Sequence, residues 1–584
     1  MAREPVTVVE IDIDYCTRTF GTSPCTATLG GSVVRKCYNT WNTCRLKSAY
    51  NKGTKTLTFA QSVDRMPVSG NYIPCLVDAS GRSGTVNIAG ADERLSALGK
   101  RAVVSVKMLD FPYNDILTDK YQFERQTGDA QIDEGGYNPL DRMSFWTKLK
   151  ARSPNYSGRP LRIIQGWIDG GVFVAEKTRH YIMTEIDGPD SRGNVTIEAK
   201  DILALADDDK AVAPKASRGF LSADIDAVAT SITLLPAGVG AEYDASGWAT
   251  IGSEIVLFTR SGDVLTLMRG RRGTVAANHS VNDTVQQTFS VRLNRVDSVI
   301  RDLLVIFAGV PSGFIPFTDW QDEVDRWGGN LRLTADICKP EGVSTLIGEL
   351  AVLGITLWWD DVAQQIKLRI NRPPDTDTVF DISDRNNIIS ISQEDRDADR
   401  LTRVSFWTVQ IDPTKGLDKS NFLRQQLTVD VDAESPSNYN GQRIKEVYSR
   451  WVNQGADSLV RVLSKRLLNR FNKQPVNYEM TLDIKDDIEL AQVIRLSSMV
   501  SADESGKPSN SLMQVISRDD IRSGHSLKVV AQKFQFDGRY GYITENSRPV
   551  YASSSAAQKA RGAYFVDETT LLFPSDNTQP YVFI

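Results

Sequence analysis

Four of the six cysteines in this 584-residue chain fall between positions 16 and 44. Cys16, Cys25, Cys37 and Cys44 are separated by eight, eleven and six residues. Gly21, Pro24, Gly30 and Gly31 lie between them and favour tight turns, so the loop can fold back and point its sulfurs inward. Thiolates are soft ligands suited to zinc or to iron in a cluster. A disulfide framework is the poorer reading. The N-terminal Met1–Asp14 alternates like a strand and carries acids where a secretory signal needs an apolar run. The chain is therefore expected to fold in a cytoplasm, where thiols stay reduced. Zinc ribbons usually show close Cys-x2-4-Cys knuckles, and none occurs here. An iron–sulfur cluster tolerates wider spacing because each cysteine ligates its own iron corner. Spacing alone leaves zinc and iron–sulfur open.

The remaining chemistry is sparse. Histidine occurs only at His180, His279 and His525, which removes most Ser/His/Asp, Cys/His and two-histidine metal arrangements. The net charge of -5 gives no basic excess, so sequence-specific nucleic-acid binding is not expected. No stretch approaches the roughly 18 apolar residues that span a bilayer. Asp360/Asp361, Asp486/Asp487 and Asp519/Asp520 are adjacent pairs at turns or strand boundaries, where solvation explains them. Asp319, Asp322, Glu323 and Asp325 surround Trp320 and Trp327, a patch that raises sugar binding as a minor alternative to a surface or interface. The Gly-rich run Arg269–Thr274 lacks the ending of a P-loop and reads as a solvated turn. Cys75 and Cys338 sit among apolar residues and read as buried small side chains. No catalytic residue is assigned, and the chain is not expected to be an enzyme.

Periodicity predicts a mainly β, multidomain protein: β-barrel domains with a few packed helices and an N-terminal cysteine-rich metal domain. Residues 1–56 form the cysteine-rich domain. Residues 57–215 form a β-barrel, with a hairpin turning at Asp169-Gly170-Gly171. There Gly84–Asp92 and Gly193–Asp201 read as two related strands. Residues 216–288 form a small inserted β-domain. Residues 289–380 hold helices at Val296–Ala308 and Val343–Leu353 and a hairpin from Ile355 to Ile370. Residues 381–537 form a second α+β domain with a helix over Ser458–Phe471, where Arg461, Lys465, Arg466 and Arg470 mark a solvated or intersubunit face. Residues 538–584 form an aromatic tail that should pack on the body or on a neighbour.

Several of these features carry a family resemblance. Tyr15–Cys25 followed by Cys37-x6-Cys44 resembles the cysteine domain of lambda-type siphophage tail tip proteins and of gene-transfer-agent hub proteins. Gly270–His279 is similar to a stretch in the inserted β-domains of phage tail hubs, and the closing aromatic segments are similar to terminal segments of siphophage baseplate hubs. The resemblance implies a [4Fe–4S] cluster on Cys16, Cys25, Cys37 and Cys44, with zinc as the alternative. It implies a homotrimeric virion protein at the tail tip, assembled in the bacterial host cytoplasm and involved in viral genome ejection. The implied partners are a distal tail protein, a central tail fibre or receptor-binding hub protein, and the tape measure protein. A zinc-stabilised scaffold and a tail-associated cell-wall hydrolase are the alternative functions.

Overall fold

The computed structural model describes residues 5–61, 67, 70–82, 84–90, 95, 98–132, 135–328, 331–374, 377–437, 441–452, 457–483, 487–522, 526–533, 540–542, 563–565, 570, 572 and 582–583. The protein is mainly β and multidomain, built from several sheets with a few helices packed between them.

The first sheet has eight strands, in the order Tyr72–Pro74, Lys52–Ala60, Pro5–Cys16, Pro160–Asp169, Val172–Asp187, Asn194–Lys200, Val103–Leu109 and Leu76–Arg82. Its two end strands are consecutive in the chain, joined through Cys75, so the sheet curls back on itself as a near-barrel. Alternation directs the packing: Val104, Val106 and Met108 point inward from one strand and Ile11 and Ile13 from another. Phe145 and Trp146 fill the interior from the helix Phe145–Arg152, with Trp146 stacked on Phe59 at 5.4 Å between centroids. Position 56 falls within the strand Lys52–Ala60, so the cysteine loop is an excursion from this sheet. A second excursion, residues 110–159, leaves the same sheet between Val103–Leu109 and Pro160–Asp169.

Gly84–Gly90, the described part of Gly84–Asp92, is not the strand expected from its likeness to Gly193–Asp201. Thr85 makes only isolated bridges, to Lys100 and to Ser517, and Ile88–Gly90 turns as a 3-10 helix. Its backbone bonds are drawn into the seam with the C-terminal sheet, where the Val86 N–H donates to Ile516 O.

A six-stranded sheet occupies Phe220 to Gln287 around Ile232, Leu234, Phe258 and Leu267. The middle of the chain contributes the largest core. The helix Val296–Asp302 continues as one wide π-type turn, Leu303–Phe307, before Gly309 takes a left-handed φ of 73°. The helix Val343–Ala351 precedes the hairpin Ile355–Asp360 and Gln365–Ile370. A further helix, Phe317–Trp327, was not expected from the sequence; Trp320, Val324 and Trp327 recur at helical spacing and are buried. The Trp–Asp patch therefore offers no aromatic face to a sugar. Glu323 is bound to Arg372 at 2.8 Å, and Asp325 to Arg295 at 2.5 Å.

The C-terminal part holds a second curled six-stranded sheet, whose end strands Val379–Ser383 and Ile388–Asp395 are again consecutive. The helix Asp457–Phe471 packs between this region and a three-stranded sheet. Its cationic residues correct the expectation of a solvated face. Arg461 is exposed, but Arg466 and Arg470 are buried. Arg466 donates to Trp327 O at 2.6 Å. Burial, with Arg369 nearby, pushes the Arg470 pKa down to about 9. In the tail, Tyr540–Tyr542, Ala563–Phe565 and Val582–Phe583 form a small sheet, and the last of these lies against the long helix. The expected tail segment Tyr551–Ser553, His525 and Asp486 lie outside the described residues.

Buried charge organises the contacts between these units. Glu254 is fully buried and accepts both arms of the Arg269 fork at 2.7 Å, the Gly270 and Ala277 N–H groups, and a 2.9 Å contact from His279 Nε2. Arg269 and Gly270 thus clamp the start of the run to Glu254, while Arg271 and Gly273 are exposed at a turn, as expected. Burial opposes ionisation of Glu254, but Arg269, His279 and the two N–H groups hold its pKa down to about 2. At the seam between the curled sheets, Arg179 donates to Asp361 at 2.7 Å and to Glu489 at 2.8 Å, and Tyr181 donates to Asp361 at 2.7 Å. Asp361 is thus an interior group and not a solvated turn residue.

Two outcomes follow from these pairs. Arg179→Met leaves Asp361 and Glu489 without their shared cation and should cost about 3–5 kcal/mol in urea unfolding. Glu254 has a folded pKa below its ordinary 4.5, so its stabilisation is present above pH 4.5 and is shed as the pH falls toward 2. Hydrogen exchange of the strand Glu254–Ser261 should accelerate across that window, and Glu254→Gln should flatten the pH response, lowering stability above pH 4.5 and converging with the wild type toward pH 2.

Candidate metal centre

The cysteine loop is anchored by the strand Pro5–Cys16, which is paired on both sides and ends on the first cysteine. Cys25 closes a turn through its N–H to Thr22 O at 2.8 Å, and Cys44 closes another to Trp41 O at 3.3 Å. Asn39, at a left-handed φ of 55°, ties the ends of the loop together. The Cys16 N–H donates to Asn39 O at 2.6 Å, and Asn39 Nδ2 donates to Cys16 O at 3.1 Å and to Arg18 O at 3.0 Å.

These turns bring the four predicted cysteines into one neighbourhood. Cys16, Cys25 and Cys37 are buried and Cys44 is half-buried, and all are free thiols. Burial raises the Cys37 pKa; the Asn39 N–H pulls it down, and the charges of Cys44, Cys25 and Cys16 raise it further. Cys37 thus feels all three of the others. Among the described residues, no three Cys, His, Asp or Glu side chains stand close enough to hold a single metal ion.

The surroundings fit an anionic thiolate centre. Arg18 Nε, Tyr50 Oη and Arg125 Nη1 are buried donors without a hydrogen-bond partner. Tyr50 is pushed up to about 12, mainly by burial, with Asp14, Cys16 and Cys44 adding to it. Arg18, Arg35, Lys36, Arg45, Lys47, Lys52 and Lys55 stand between Asp14 and Asp64 without a single Asp or Glu among them. Four thiolates around a divalent centre carry net negative charge, and nearby cations and spare donors lower the cost of placing it there. This acid-free stretch is a signal that the cysteine spacing alone does not supply.

The residues that sequence reading missed lie in the second excursion. Residues 119–132 pack against the cysteine loop: the Lys36 N–H donates to Ala130 O and the Ile132 N–H to Val34 O, both at 2.8 Å. The Phe20 N–H donates to Tyr121 Oη at 2.6 Å. Phe20, Cys37, Tyr121 and Ala130 form a small core of their own. Arg125, fully buried, is bound to Asp119 at 2.6 Å and reaches Cys37 O at 2.8 Å.

Other candidates are occupied by structural roles. Asp361, Glu489 and Asp520 converge on Arg179 and Arg518, which leaves no carboxylate pair free for acid–base work there. Cys75 and Cys338 are buried away from the loop, and burial pushes both up to about 12. Among the described residues, no helix is long and apolar enough to cross a membrane.

No protein-family model and no curated protein matches the chain. Among solved structures, it is similar to a tail protein from Neisseria meningitidis MC58, at 10% identity and a TM-score of 0.35, over 78% of this chain and 95% of that one. It is also similar to the 43 kDa tail protein of prophage MuSo2 from Shewanella oneidensis, at 10% identity and a TM-score of 0.34, over 78% and 97%. Prophage tail protein gp18 from Listeria monocytogenes EGD-e gives 10% identity and a TM-score of 0.29, over 65% and 86%. Likeness at these scores carries no argument about this chain.

Exposure and burial set an order of thiol reactivity. In metal-free protein, Cys44 should be alkylated first, and Cys75 and Cys338 last, only on unfolding. Mass mapping of a timed iodoacetamide reaction reads that order directly.

Proposed function

We propose that this chain is the structural hub of a phage tail tip. In this reading it closes the tail tube and links it to central receptor-binding or fibre proteins. Cys16, Cys25, Cys37 and Cys44 hold a [4Fe–4S] cluster that clamps the N-terminal loop to the barrel. The observation that carries the reading is the pairing of Cys-x8-Cys with Cys-x6-Cys on one loop that starts at the end of the strand Pro5–Cys16. When bound, the cluster supplies cross-links; the residues of the chain supply turns, burial and compensating charge.

The partners proposed with it are a distal tail protein, the central fibre or receptor-binding hub, the tape measure protein and two further copies of this chain. The chain acts as a scaffold without catalysis, in the virion after assembly in the host cytoplasm. Metal ligation would stabilise a loop with little core of its own, because binding free energy becomes folding free energy.

Protein purified without oxygen should contain iron and acid-labile sulfide in near-equal amounts, with the broad visible absorption of a cluster. Cys25→Ser should abolish both and impair tail assembly. Zinc without sulfide would replace the cluster by a zinc clamp. A metal-free wild type, or infectious particles with normal metal content from Cys25→Ser, would sink the clamp altogether.

A further inference from the structure

The metal reading treats the cysteine loop as the whole site, but the geometry points to a second piece. Arg125 lies 88 residues from Cys37 in sequence and is fully buried against it. Its Nε is bound to Asp119 Oδ2 at 2.6 Å. Its Nη2 donates to Cys37 O at 2.8 Å and to Lys36 O at 3.2 Å. Its guanidinium stacks on the Tyr38 ring at 3.8 Å, and Arg152 covers that same ring at 4.0 Å. Tyr38 Oη in turn meets Tyr137 Oη at 3.2 Å. One planar cation thus fixes the carbonyls on either side of the Cys37 amide and the side chain that follows Cys37. Lysine has no fork to do this.

We propose that Arg125 is the positioning residue of the Cys37 arm. The metal centre is then a two-piece site, in which residues 119–132 set the sulfur of Cys37 before any metal arrives. This rests on the four cysteines being ligands, and goes beyond that reading by placing half of the cradle in another excursion of the sheet. Groups behind metal ligands orient them, and their loss typically costs about 10–100-fold in affinity.

The test uses the full chain in two states. In metal-free protein, the Lys36 and Ile132 amides, which bond across the two excursions, should be protected in wild type and in Cys25→Ser, and should exchange faster in Arg125→Met. Amides of the strand Glu254–Ser261 should be unchanged, which separates a local brace from a general folding role. Reconstitution with ferrous iron and sulfide should be weakened about 10–100-fold in Arg125→Met and less in Arg125→Lys. Asp119→Asn, which keeps the shape but removes the anchor, should follow Arg125→Met at smaller size. Unchanged protection with unchanged iron uptake in Arg125→Met overturns the proposal. So does loss of protection throughout the chain in both Arg125→Met and Asp119→Asn. If wild type takes up no iron, the ligand reading fails alone, because the metal-free exchange comparison still decides whether the brace exists.

Discussion

A charge taken out of water needs a partner at once, and this chain buries its charges where its parts meet. Arg179 joins the first curled sheet to the hairpin turn through Asp361 and to the C-terminal sheet region through Glu489. Arg450 joins Glu341 to Glu349, on either side of the start of the helix Val343–Ala351. Glu254 draws a whole loop onto the small sheet. Arg125 ties the two excursions at the cysteine end. Replacing such pairs by apolar groups of the same shape is often neutral or better for stability, whereas removing one partner is costly. Their contribution here is to fix which surfaces meet, since each buried carboxylate finds its cations only in that arrangement.

Periodicity made much of the fold legible. The apolar positions Val296, Val299, Ile300, Leu303 and Leu304 marked a helix because all five face one core. The Gly-rich turn at Asp169-Gly170-Gly171 marked a hairpin, and the strands Pro160–Asp169 and Val172–Asp187 pair across it. The helix Phe317–Trp327 was obscured because its three buried residues are spaced among acids, and the acids drew attention as a surface patch. Buried cations were the hardest to place. Arg466 and Arg470 look like any solvated helix face in sequence, and Asp361 finds Arg179 across 182 residues. Periodicity reports which side of an element is apolar; it carries no information on a partner that distant.

The candidate site divides along the same line. The cysteines were visible because four of them crowd into one short loop. The brace was not, because Asp119 and Arg125 belong to an excursion that begins after the fifth strand in chain order, in a region that reads as turns and short helices. The acid-free run from Arg18 to Lys55 was present in the sequence throughout, and becomes informative only once the loop is seen to fold back on the end of the strand Pro5–Cys16.

The closure of both curled sheets by neighbouring segments has a bearing on assembly. Tyr72–Pro74 and Leu76–Arg82 bound one sheet, and Val379–Ser383 and Ile388–Asp395 the other, so each pair of rims is tethered by a few residues. Such rims have little room to accept a strand from another molecule, and an open edge is the usual route to runaway polymerisation. In these two sheets, contact with another molecule is therefore left to side-chain surfaces, whose shape, unlike a strand edge, is specific to one partner.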